Sequence, residues 1–151
     1  MCLIVTKNPK TKQPLPPKYT FDTPLKCFKI MRKTYRLKYW LFGKRQYKSL
    51  FRQYPYYMGE EQTANFFDQF WYGMDEFLDT GSYIHDGLHS FRTFEDAKKY
   101  FDELSWFNKT RSVIVQCSIP INTTYYIGIF DVKYPAYASN RLIMEKVVYA
   151  K

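Results

Sequence analysis

The 151-residue chain reads as an α+β protein, a largely antiparallel sheet packed by two helices at about 60–80 and 93–105. Three observations predict this class. Apolar residues alternate with polar ones near both ends of the chain, which is the period of strands. Spacings of three and four are confined to the middle, which is the period of helices. The balance of 46% apolar and 25% charged residues is that of a folded chain and not of a disordered one. At this length residues 1–151 form a single domain, able to bury roughly 68–70% of its extended surface without staples.

Taken in order, residues 2–6 read as a short strand. Removal of Met1 would leave the Cys2 thiol beside a free α-amino group of pKa about 7.7–8.0, the arrangement of an N-terminal nucleophile. The run Cys-Leu-Ile-Val is instead that of a buried first strand, and no Gly-Arg follows the cysteine as it does in abasic-site-crosslinking proteins. Residues 7–24 hold five of the eight prolines and read as an extended arm, because proline lacks an amide donor and restrains the residue before it. "LKCFKIMRK" (25–33) and "YRLKYWLF" (35–42) alternate as strands, Gly43-Lys44 offers a turn, and an irregular aromatic stretch follows.

Phe66, Phe67, Phe70, Trp71, Met74, Phe77 and Leu78 mark the first helix. Glu60 and Glu61 stand at its positive end, and Thr80-Gly81 stops it. Thr93 caps the second helix with Asp96 at the capping-box position, and its buried stripe is Phe94, Ala97, Tyr100, Phe101 and Leu104. Residues 112–121, 124–130 and 140–150 complete the set as strands.

Charge is segregated along this order. Residues 1–52 carry 14 Lys and Arg against the single acid Asp22, residues 53–110 carry 4 against 11, and residues 111–151 carry 5 against 2. Within the basic part, Lys29, Arg32, Lys33, Arg36, Lys38, Lys44, Arg45 and Lys48 can neutralise phosphates, and interleaved aromatics such as Trp40 can stack on unpaired bases. The expected partner is nucleic acid or an acidic protein. The competing reading is a solvated hairpin face whose lysines guard an exposed edge.

Other chemistry finds little footing. Three scattered cysteines make neither a disulfide framework nor a zinc site. His85 and His89 would lie roughly 13 Å apart on a strand, too far for one metal, and Gly87 between them marks a bend. There is no GxSxG, P-loop or GxGxxG, so no cofactor is expected. The opening apolar run is too short for a signal peptide and no stretch is long enough to span a membrane, so a reduced, cytoplasmic protein is expected. The Asn-x-Thr triplets at Asn108 and Asn122 are accordingly read as unmodified.

Three pieces carry a resemblance: "LKCFKI", "GLHSF" followed by "EDAKKYF", and "VIVQCSIPINTTYYIG" followed by "YASNRLIMEKVV". They resemble a loose group of small uncharacterised proteins from tailed phages and gut Bacteroidales, over about the last 70 residues plus the strand at 25–31. This chain has Ile121 and Asn122 where that pattern has Lys-Gly. The resemblance implies a phage-encoded or prophage-derived accessory protein. The order of His89, Tyr125 or Ser139, and Glu145 also resembles the histidine, hydroxyl and glutamate of the split sheet in ADP-ribosyltransferases. That likeness implies an NAD-dependent transferase, with His89 and Glu145 as its catalytic candidates, as the alternative to a non-enzymatic binding protein.

Overall fold

The computed structural model describes residues 3–5, 18–34, 46–50, 55–64, 87–131 and 133–151, and the backbone of 82–84. Among the described residues, twelve strands form one sheet: β1 (Leu3–Val5), β2 (Lys18–Tyr19), β3 (Leu25–Lys33), β4 (Gln46–Ser49), β5 (Pro55–Tyr57), β6 (Glu61–Thr63), β7 (Ser82–Ile84), β8 (Leu88–Phe91), β9 (Ser112–Ile119), β10 (Thr124–Phe130), β11 (Tyr134–Ser139) and β12 (Arg141–Ala150). Two short helices, α1 (Phe94–Glu103) and α2 (Trp106–Arg111), lie between β8 and β9. The main path runs β6-β12-β9-β3-β8-β11-β10-β1-β7, and its pairings are antiparallel.

Two strands share an edge between two neighbours. β3 follows β9 from Leu25 to Arg32. Its other edge meets β8 at Phe28 and then β4 from Met31 to Lys33, so the sheet forks around residues 29–30. β10 does the same, pairing with β2 at Thr124–Tyr125 and with β1 at Gly128–Phe130.

Alternation along these strands sorts the core into two clusters. Phe28, Ile30, Phe91, Ile114 and Phe130 gather with Ala97 and Phe101 of α1. Cys27, Met31, Val113, Val115, Cys117 and Met144 gather with Tyr47 of β4 and Tyr56 of β5. β9 has both faces covered, which is why "SVIVQCSI" is almost continuously apolar. α1 begins where its cap predicts: the Asp96 amide donates to Thr93 Oγ1 at 3.1 Å. Phe101 is fully buried and meets Tyr149 edge-on at 5.3 Å.

The structure differs from the sequence reading in several places. Residues 61–63, expected at the start of a helix, form β6 on the edge of β12, where Glu61 pairs with Arg141. The remainder of that expected helix, residues 65–80, lies outside the described residues, as do Cys2, the arm from 7 to 17, the strand at 35–42 and His85. Residues 18–19, expected to be arm, are a strand docked on β10. β11 and α2 are additions. Gly87 does turn the chain, with φ 99. Asn122 holds the left-handed turn before β10 at φ 55, a conformation that Asn tolerates better than most residues. Among the described residues, no helix is long and apolar enough to cross a membrane.

Candidate functional site

The basic residues singled out from the sequence fall into three groups. Lys29 is internal: it is 4% exposed, its Nζ donates to the His89 carbonyl, and it stands 5.5 Å from the Tyr56 ring. Strand alternation turns it inward with Cys27 and Met31, so it is removed from any phosphate-binding face. Arg32, Lys33 and Lys48 remain half-exposed at the far end of β3 and β4. Arg36, Lys38, Trp40, Lys44 and Arg45 lie outside the described residues, but their segment leaves β3 at Thr34 and enters β4 at Gln46. Those two ends are tied together by Thr34 Oγ1 donating to the Gln46 carbonyl.

The register draws further groups to this end. Arg32 lies opposite Lys48 on one side and opposite Ser112 on the other. Ser112 directly follows α2, so Lys109 and Arg111 join the same corner. Arg32 Nη2 donates to Asn108 Oδ1 at 3.2 Å, fastening α2 to β3. α2 buries none of its residues. Trp106 is 74% exposed and Phe107 52%, and the Arg111 guanidinium sits 3.9 Å from the Phe107 ring centroid. A cation this close over a ring face is held there by the ring's quadrupole and covers that face of Phe107. The corner therefore combines the cations Arg32, Lys33, Lys48 and Arg111 with two exposed aromatic side chains, Phe107 carrying Arg111 on one face.

Trp106 and Phe107 were missed from sequence. Their segment shows no apolar stripe because α2 has no buried face, and it falls between the expected helix at 93–105 and the expected strand at 112–121. The signal that could have found them is the short run Trp-Phe-Asn-Lys-Thr-Arg itself, aromatic and basic with no core to serve.

The residues of the transferase alternative do not converge. His89 is 5% exposed on β8 and Glu145 is exposed on β12, with β9 and β3 between them, roughly 14 Å of sheet. Glu145 sits at a register shift and accepts from Gln116 Nε2 at 2.6 Å. Tyr125 and Ser139 face each other across β10 and β11. Ser139 Oγ is committed to the Arg141 carbonyl at 2.9 Å, and Tyr125 packs edge-on against Tyr137 at 5.6 Å.

Cys27 and Cys117 are opposite one another in the β3–β9 register, both free and buried. Burial pushes the Cys27 thiol up to about 12, opposed in part by the neighbouring Ser90 hydroxyl and Lys29 ammonium. Burial raises Cys117 as well, with Cys27 adding to the shift. Such thiols are poor nucleophiles. Among the described residues, no group of three or more His, Cys, Asp or Glu is placed to hold a metal ion.

Comparison with protein-family models, with curated proteins and with solved structures finds no match for this chain.

Proposed function

We propose that the protein is a non-enzymatic binding protein for single-stranded nucleic acid, encoded by a phage or mobile element and acting in the cytoplasm of a bacterium or an infected host cell. The observation that carries this reading is the exposed pair Trp106 and Phe107, with Arg111 stacked on Phe107, next to the sheet end that also bears Arg32, Lys33 and Lys48. Phosphates ask for cations, and unpaired bases ask for flat apolar faces. An acidic protein would use the same cations but has less use for two exposed rings. Arg36, Lys38, Trp40, Lys44 and Arg45 lie outside the described residues, between Thr34 and Gln46, which are joined by a hydrogen bond at this end. A transferase acting through NAD, His89 and Glu145 has less support, because His89 is buried and Glu145 lies on a strand separated from it by two others.

The test is an anisotropy titration of labelled single-stranded DNA and RNA with the parent chain, with Trp106→Ala, and with Lys44 and Arg45 both changed to Glu. Binding that weakens in both variants supports the reading. No binding to either polymer at low salt would shift the assignment to an acidic protein, to be sought by pull-down. NAD binding that ignores all three changes would favour the transferase.

A further inference from the structure

Arg32 and Arg141 present the same edge of the guanidinium in two different conditions. That edge carries the Nε–H and one Nη2–H side by side, a pair of donors that matches two oxygens of one oxyanion. In Arg141 the edge is filled: Nε and Nη2 donate to the two carboxylate oxygens of Glu61 at 2.6 and 2.7 Å. In Arg32 it is half-filled. Nη2 donates to the neutral Asn108 amide at 3.2 Å, while Nε, buried beside it, has no hydrogen-bond partner. None of the ion pairs among the described residues includes Arg32. The amide oxygen supplies one acceptor and no charge, so the guanidinium is short of both.

The surroundings add donors and no obstacle. The register sets Lys48 of β4 opposite Arg32 on one side and Ser112 of β9 opposite it on the other. Opposite residues share a face, with Cβ atoms about 4.5–5.5 Å apart, so a lysine, an arginine and a serine form one row across three strands. Ser112 is fully buried, and its hydroxyl is also without a hydrogen bond. Asn108 is half-exposed and stands on α2, which buries none of its residues. Its side chain can therefore swing into water without disturbing the core. The edge of Arg32 is then reached from outside, and no preformed cavity is required.

We propose that Arg32 is the phosphate fork of this corner: a backbone phosphodiester displaces the Asn108 amide and takes Nη2 and Nε together. Lys48 adds its charge from the neighbouring strand. The inference rests on the nucleic-acid reading and adds to it the residue that grips the strand and the residue that gives way.

The experiment titrates labelled single-stranded DNA without a terminal phosphate against the parent chain, Arg32→Lys and Asn108→Ala. It also follows the Arg32 Nε–H resonance in isotope-labelled parent. Arg32→Lys keeps the charge and loses the fork, so affinity should fall about tenfold or more at an unchanged salt slope. Asn108→Ala removes the group to be displaced and should tighten binding about 2- to 10-fold. The Nε–H, newly bonded, should shift on saturation. If the parent binds, an Arg32→Lys affinity equal to the parent's, or an unmoved Nε–H, overturns the fork and leaves the nucleic-acid surface standing. Weaker binding by Asn108→Ala would make the amide a contact to the strand and overturn the displacement. If the parent binds no single strand, the surface reading fails by itself and inorganic phosphate decides the fork. An Nε–H shift in phosphate that is absent in chloride at equal ionic strength keeps Arg32 as an oxyanion site. No such shift ends the proposal as well.

Discussion

Trp106 leaves 74% of its surface in water at a place where the fold gains nothing from it. Replacing it with Ala should leave stability within about 0.5 kcal/mol, since no core contact is lost. The same change should weaken single-stranded nucleic-acid binding by roughly 5- to 150-fold, the loss of one stacked base at about 1–3 kcal/mol. Anisotropy and a urea melt on the same sample separate the two effects. Cys27 and Cys117 present the opposite case, with burial holding both thiols protonated. Neither should react with a thiol reagent in the native state, and both should react on unfolding. Rapid native labelling mapped by mass spectrometry to Cys27 or Cys117 would show that the β3–β9 seam opens easily.

β1 and β10 make contact only because residue 128 is glycine. A Cβ there would stand 2.3 Å from the Ile4 carbonyl oxygen and 2.7 Å from Leu3 Cγ. Gly128→Ala should therefore destabilise by about 1–3 kcal/mol, read as a lower denaturant midpoint at unchanged slope. Thr93→Ala removes the cap of α1 and should cost about 1 kcal/mol. The elements legible in the sequence were those with a strong local signal. β3, β9, β10 and β12 alternate or run apolar, and α1 has both cap and stripe. The elements missed have none. β2, β4 and β5 span two to four residues and exist through pairing with longer strands. β11 was hidden by Pro135 and by small alanines, yet it is buried because β8 and β10 flank it. At β6 the pair Glu60-Glu61 resembled an acidic helix start, whereas Glu61 instead answers Arg141 across the strand pair.

At the scale of the molecule, that ion pair and the charge segregation govern behaviour in acid and salt. Arg141 holds Glu61 below the usual carboxylate value, and Glu61 raises Arg141. Lys98 lowers Asp102 and Lys133 lowers Glu103 in the same way. A carboxylate depressed in the folded state contributes stability above its unfolded pKa, about 4.3 for Glu, and loses it as pH falls through the lower folded value. Stability should thus decline below about pH 4, and Glu61→Gln should flatten that acid limb. Of the candidate site, the concentration of cations in residues 1–52 was legible from composition. Which of them face outward was not, because the burial of Lys29 depends on β3 forking between β8 and β4, a long-range pairing that no local pattern records.

The central claim is a nucleic-acid surface at the Arg32–Lys48–Trp106 corner, and a salt series of anisotropy titrations with labelled single-stranded DNA and RNA tests it most directly. The account predicts affinity falling linearly in log–log form, with a slope near −0.7 for each phosphate contacted, and a shallower slope after Lys48→Glu. Affinity that does not change with salt, or no binding at low salt, would contradict it.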